Sequence, residues 1–143
     1  MPTRATETGT ETKVRNLVYW ASTVCAAVAV GGAGATDLLH IPAVMETLAH
    51  LGYPTYFATI LGTWELLGAV AILAPRRSRV KEWAYAGMVF ALSGAALSHA
   101  ASGDPVPKIL VPLMVLGAVL LSWTSRPGRR TLFTTASARP HAA

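Results

Sequence analysis

The sequence predicts an all-α integral membrane protein: a four-helix bundle with a short interfacial helix between helices 1 and 2. Three observations predict it. The 143 residues are 52% hydrophobic and only 13% charged, with a mean hydropathy of +0.44, too apolar for a soluble domain that keeps charge on its surface. Four apolar runs, Leu17 to Leu39, Pro54 to Ala74, Trp83 to Ala101 and Ile109 to Trp123, cover roughly 34, 31, 28 and 22 Å at ~1.5 Å per residue, against a hydrocarbon core of ~30 Å. Eleven of the twelve Lys and Arg residues precede the first run, separate the second from the third, or follow the fourth, which is the alternation that an even number of crossings produces.

Residues 1–16 are polar and rich in Thr and Glu, and are expected to be a disordered N-terminus. The first run is long for the apolar core of a signal peptide, although small residues recur at Ala33-Gly34-Ala35, so it is read as a span. Beyond it, Pro42 suits a helix start and Gly52 a helix end with Pro54 just after, while Val44, Met45, Leu48 and Leu51 share one helical face. This predicts a short helix lying in the interface, able to cover one mouth of the bundle. The second run carries Glu65 near its middle. Pro75 to Glu82 reads as a solvated basic turn into the third run. The fourth run is short, and spans fully only if Lys108 and the Ser125 to Arg126 end snorkel to the two interfaces. Residues 17–125 form the membrane domain and 126–143 a disordered basic tail.

The positive-inside rule then places both termini in the cytoplasm of a multi-pass plasma-membrane protein. Tyr19, Trp20, Trp83, Tyr85 and Trp123 fall at the inner interface, and Tyr53, Tyr56 and Phe57 at the outer one. The net charge of +5 is accounted for by this topology and by attraction to anionic lipid, so no nucleic-acid partner is expected. A lone Cys25 excludes an internal disulfide or a paired-thiol redox centre. No HxxxH or HExxH spacing, phosphate loop, nucleophile elbow or haem attachment motif is present, so no metal is expected and no cofactor can be named.

A carboxylate in mid-span is expensive and usually paired or functional, which makes Glu65 the first candidate. Gly62, Glu65, Gly68 and Ala69 recur at helical spacing, so Glu65 lies on a face where small residues let another helix approach. Gly87, Ala91 and Ala95 step by four toward His99 in the third run, and Gly94 steps toward Ser98. Both small faces read as packing seams first. The outer half also collects Asp37, His40, Glu46, His50 and Asp104, residue types that serve acid/base or proton-transfer work. The bland alternatives are local: Asp104 pairing with Lys108, Glu46 with His50, and Asp37 closing the first helix. The functional reading is one shared site built from Glu65, His99, His50, Asp104 and Asp37, with His40 set aside because no seam stands behind it.

Several strings together, His50-Leu51-Gly52-Tyr53-Pro54, the segment Ile60 to Ala69 around Thr63-Trp64-Glu65, Ala74-Pro75-Arg76, Lys81 to Gly87, and Ser98-His99 before Gly103-Asp104, resemble the DoxX-like family of small four-helix membrane proteins. The likeness covers roughly residues 17–127. It implies the four-helix membrane fold and a link to membrane redox complexes, with no agreed catalytic residues to carry over. One departure concerns Glu65, where many relatives carry Lys. The expectation is an enzyme or oxidoreductase-complex subunit handling a small lipophilic, quinone-like substrate at a Glu/His site in the outer half, with a soluble redox partner on the cytoplasmic side. The alternatives are a non-catalytic anchor for a soluble oxidoreductase and, weakest for four short helices without an inverted repeat, a carrier. Gly/Ala seams also suit pairing as a homodimer.

Overall fold

The computed structural model describes the backbone of residues 4–75 and 78–126 and the side chains of residues 9–75 and 79–126. These form five helices: α1 (Arg4–Leu38), α2 (Pro42–His50), α3 (Tyr56–Leu73), α4 (Ser78–Ala101) and α5 (Val106–Ser125). All but α2 are long and apolar enough to cross a membrane. The all-helical class, the four spans and the short helix between the first two are as the sequence predicts.

The boundaries differ where apolarity is a poor guide. The polar stretch expected to lack order is helical from Arg4 onward. A helix nucleated by the apolar residues behind it extends cheaply, one hydrogen bond per residue fixed, through good formers such as Ala5, Glu7, Glu11 and Lys13. At the other end α5 is 20 residues, about 30 Å, because Val106 to Lys108 belong to its first turn, where a proline's missing N–H has no helical partner to lose. The span is therefore complete without stretching. Arg79, Lys81 and Glu82, read as a solvated turn, open α4. Arg76, Arg77 and the basic tail from Pro127 lie outside the described residues.

The helices are arranged as a ring, with α1 against α3 and α5, and α4 against α5 and α3. Contact between α3 and α4 is the thinnest of the four. The core is built mostly from small and aliphatic side chains, Ala26, Ala27, Val30, Ala69, Ile72, Met88 and Val119, with Tyr85 among them. Large apolar side chains such as Trp20, Val28, Trp64, Val70, Trp83, Phe90 and Met114 face outward, the inverse of a soluble bundle. Chain reversal at the α2 end relies on two glycines in the left-handed region, Gly52 at φ +83° and Gly103 at φ +71°.

Candidate functional site

The seam between α1 and α3 positions the first polar residues. A Cβ on Gly34 would lie 2.9 Å from Glu65 Cβ, and one on Gly62 would lie 2.6 Å from the Gly34 carbonyl and 2.9 Å from Asp37 Cβ. The two helices thus meet backbone to backbone, as small residues allow. One turn further on, His40 Nε2 and Thr59 Oγ1 share a hydrogen bond of 3.3 Å. Gly34 faces Glu65, Asp37 faces Gly62 and His40 faces Thr59, a register that steps by three residues in opposite directions along antiparallel helices. Asp37 is 6% exposed, and no hydrogen bond reaches its carboxylate among the described residues. The Glu65 carboxyl oxygen Oε2 is buried and has no partner. His40 is exposed and holds φ +49°, which turns the chain out of α1 and lays the imidazole back against α3, with Nδ1 3.0 Å from the Leu38 carbonyl.

Beside this seam, where α3 and α4 part, lies a groove of about 670 Å³. Its walls are almost wholly apolar, and Glu65 is the single ionisable residue among those that line it. Phe57, Ile60, Trp64 and Leu67 come from α3, and Val80, Trp83, Gly87, Ala91 and Leu92 from α4. Several of these rims are exposed, Trp64 at 68% and Trp83 at 83%, so the groove opens sideways to the surface that lipid would cover. The small face of α4, expected to be a packing seam, is open at its glycines. Added Cβ atoms on Gly87 and Gly94 would meet nothing within 4 Å, and Gly87 and Ala91 leave room for the groove instead.

His50, His99 and Asp104 assemble elsewhere, over the α4–α5 turn. Gly103 brings the Asp104 amide onto the His99 carbonyl at 3.0 Å, which presents the Asp104 carboxylate to two hydrogen-bond donors and to the His50 imidazole. His99 Nδ1 donates to Oδ2 at 2.8 Å, Lys108 Nζ donates to Oδ1 at 3.0 Å, and His50 Nε2 lies 3.3 Å from Oδ1. The hydrogen bond from His99, and then that from Lys108, hold the Asp104 carboxyl well below the usual range, at about 2. Tyr53 OH donates to Ser98 Oγ at 2.7 Å, since the Ser98 hydroxyl proton goes to the Gly94 carbonyl. Together these tie the end of α2 to α4 and α5. The expected shared site thus divides in two, Asp37 with Glu65 on the α1–α3 seam and His50 with His99 on Asp104. Among the described residues no hydrogen bond or ion pair joins His99 or His50 to Glu65.

At the opposite end the bundle encloses a set of polar groups, of which the sequence placed Tyr19 and Tyr85 in the interface and Lys81 in solvent. Tyr19 is 4% exposed, Tyr85 3%, Lys81 8%, and Thr23 and Ser122 are fully buried. Thr23 donates to the Tyr19 carbonyl, so Ser122 Oγ donates to Thr23 at 2.6 Å and Tyr85 OH donates to Ser122 at 2.7 Å. Lys81 Nζ donates to Tyr19 OH at 3.2 Å. Tyr19 and Tyr85 are therefore interior hydrogen-bonding residues and not members of an aromatic belt, and Lys81 is not a solvated anchor. The signal available beforehand was helical spacing: Lys81, Tyr85 and Met88 share a face, as do Tyr19, Thr23, Ala26 and Val30. Nearby, Arg126 pairs with Glu82 at 2.8 Å and Trp123 Nε1 donates to the same carboxylate at 2.8 Å.

A family model described as the DoxX-like family matches residues 21–123. Neither the curated proteins nor the solved structures compared with the chain give a match.

Proposed function

The chain belongs to the DoxX-like family and is a multi-pass membrane protein, and from that premise we propose that it takes a small lipophilic, quinone-like molecule from the bilayer into the α3–α4 groove. It acts there as an enzyme or as the membrane subunit of an oxidoreductase complex. Glu65 is the group that meets the polar end of the ligand. One observation carries this reading: a lipid-facing apolar cavity of about 670 Å³ whose lining holds a single ionisable residue, Glu65. A mostly apolar concavity with a few fixed polar groups is the general form of a small-molecule site. A quinol hydroxyl would donate to the carboxylate and a quinone carbonyl would accept from the carboxylic acid. Glu65 thus takes or gives the proton while a soluble partner takes or gives the electrons.

On this reading α2 and the Asp104 cluster close the outer end of the bundle. The basic end faces the cytoplasm of a plasma-membrane protein, where Arg and Lys would meet the redox partner and anionic lipid. In the sequence, eleven of the twelve Lys and Arg residues precede the first span, separate the second from the third, or follow the fourth, which also favours a second reading, a non-catalytic anchor for a soluble oxidoreductase. The deciding experiment is mass spectrometry of lipophilic molecules co-purifying with the detergent-solubilised protein, wild type against Ala91→Phe, which fills the groove from the α4 wall. A redox-active isoprenoid or aromatic ligand present in the wild type and depleted in Ala91→Phe supports the site. Equal lipid content in both, with an intact partner complex, favours the anchor.

A further inference from the structure

The α1–α3 register places three ionisable groups on successive turns of one seam. Glu65 borders the groove at the level of Gly34, Asp37 lies one turn further toward the α2 end at the level of Gly62, and His40 lies one turn beyond that at the level of Thr59. Three residues of α3 rise about 4.5 Å, so Glu65, Gly62 and Thr59, the α3 positions at these three levels, step along the seam by about that distance. The two ends of the series differ in their surroundings. The Glu65 oxygen Oε2 is sealed from solvent, whereas His40 is exposed at the end of α1. Asp37 between them is 6% exposed and without a hydrogen bond to its carboxylate, and it interacts electrostatically with His40 on one side and Glu65 on the other.

We propose that His40, Asp37 and Glu65 form a proton-exchange route from the aqueous face at the α2 end to the floor of the α3–α4 groove. The proposal rests on the reading of that groove as a ligand site. Inward, an imidazolium at His40 gives one proton to the Asp37 carboxylate and becomes neutral imidazole. The Asp37 carboxylic acid gives one proton to the Glu65 carboxylate, and water reprotonates His40. Outward, the same steps run in reverse, and no electrons move on the route. A group working on a lipid-embedded ligand needs such a route, because the groove opens to hydrocarbon, which carries no protons.

The local structure is specific to this use. The Gly34 and Gly62 contacts exclude any side chain that would separate Asp37 from Glu65, and the left-handed backbone at His40 directs its imidazole onto the seam. Among the described residues that line the groove, the α4 wall contributes no ionisable group, so Asp37, His40 and Glu65 are the titratable groups that face one another here. The opposite end is closed to the route by an apolar layer of Ala26, Ala27, Val30, Ala69 and Ile72.

The test is pH-jump infrared difference spectroscopy on the full chain in lipid nanodiscs. Glu65 carboxyl bands are assigned by their loss in Glu65→Gln, over a range of about pH 4 to 9 that brackets carboxyl and imidazole titration. The expected result is a Glu65 protonation change in the wild type that slows by about tenfold or more in Asp37→Asn and in His40→Gln, with the end-point spectrum kept, as loss of a proton-transferring group implies. Asp104→Asn, which lies off the seam, keeps the wild-type rate. Wild-type rates in both Asp37→Asn and His40→Gln would overturn the route, as would a Glu65 signal that does not respond to pH at all. Quenching of Trp64 and Trp83 fluorescence by decylubiquinone is measured in parallel. Loss of quenching with an intact infrared response refutes the ligand reading alone.

Discussion

Gly62→Ala is the sharpest perturbation of the seam on which both carboxylates depend. A methyl group there would sit 2.6 Å from the Gly34 carbonyl oxygen, 2.9 Å from Asp37 Cβ and 3.0 Å from Leu38 Cγ. The nearest of these atoms is backbone, so no rotamer relieves the contact and α1 must move away from α3. Overpacking of a close-fitted interior costs about 1–3 kcal/mol, and separating two helices of this seam forfeits the contacts of their neighbours as well. The helix-propensity gain of Ala over Gly, about 1 kcal/mol, opposes this and leaves a net destabilisation of up to about 2 kcal/mol. Gly94→Ala is the internal control, because its Cβ meets nothing within 4 Å and it keeps the propensity gain. Equilibrium unfolding in mixed detergent, followed by tryptophan fluorescence, should show Gly62→Ala less stable and Gly94→Ala at least as stable as the wild type. Equal stability of the two variants would refute the close backbone approach, and with it the register that sets Asp37 beside Glu65.

The other expectations concern the groove, the outer cluster, the core hydroxyls and the topology. Gly87→Phe should fold normally, since a Cβ there meets nothing within 4 Å and the groove beyond it has room for the ring, yet should abolish protection of Trp83 by any co-purified ligand, read by fluorescence quenching. Asp104 is held below its ordinary value of 3.8, at about 2, so its contribution to stability is present above about pH 4 and is lost as pH falls toward 2. Asp104→Asn should therefore flatten the acid limb of an unfolding profile in that window. Ser122→Ala leaves the buried Tyr85 and Thr23 hydroxyls each short of a partner, and should cost on the order of 1–3 kcal/mol in the same unfolding assay, against near neutrality for the exposed Thr124→Ala. Glu46→Cys in a Cys25→Ser background should react with a membrane-impermeant thiol reagent in intact cells, because Glu46 is exposed on α2 at the proposed outer end. Labelling only after lysis would reverse the orientation.

Length and apolarity are one-dimensional properties, and what depends on them alone was legible in the chain. The four spans, the α2 helix between Pro42 and Gly52, and the candidacy of Glu65 follow from counting apolar residues and asking why a carboxylate sits among them. The Lys108–Asp104 pairing followed from i, i+4 spacing, and the small face of α3 was read correctly as a seam. The apparently equivalent small face of α4 was not. Gly and Ala at helical spacing permit close approach without requiring it, and whether a neighbour fills the space depends on how the ring of helices closes. Because α3 and α4 diverge, Gly87 and Ala91 became the wall of a groove.

Partnership across the bundle was likewise a tertiary outcome. Which of Asp37, His40, His50, His99 and Asp104 would meet Glu65 depended on the α1–α3 register and on the turns at His40 and Gly103, and a side chain's spacing on its own helix carries no information about either. The register gave Glu65 the company of Asp37 and placed His40, which no motif had favoured, on the same line. The Gly103 turn kept His50 and His99 on Asp104. Tyr19, Lys81 and Tyr85 show the same division: composition put amphipathic side chains near the ends of spans, and only the meeting of α1, α4 and α5 around Ser122 turned them inward, where each polar atom found a hydrogen bond that lipid could not have supplied.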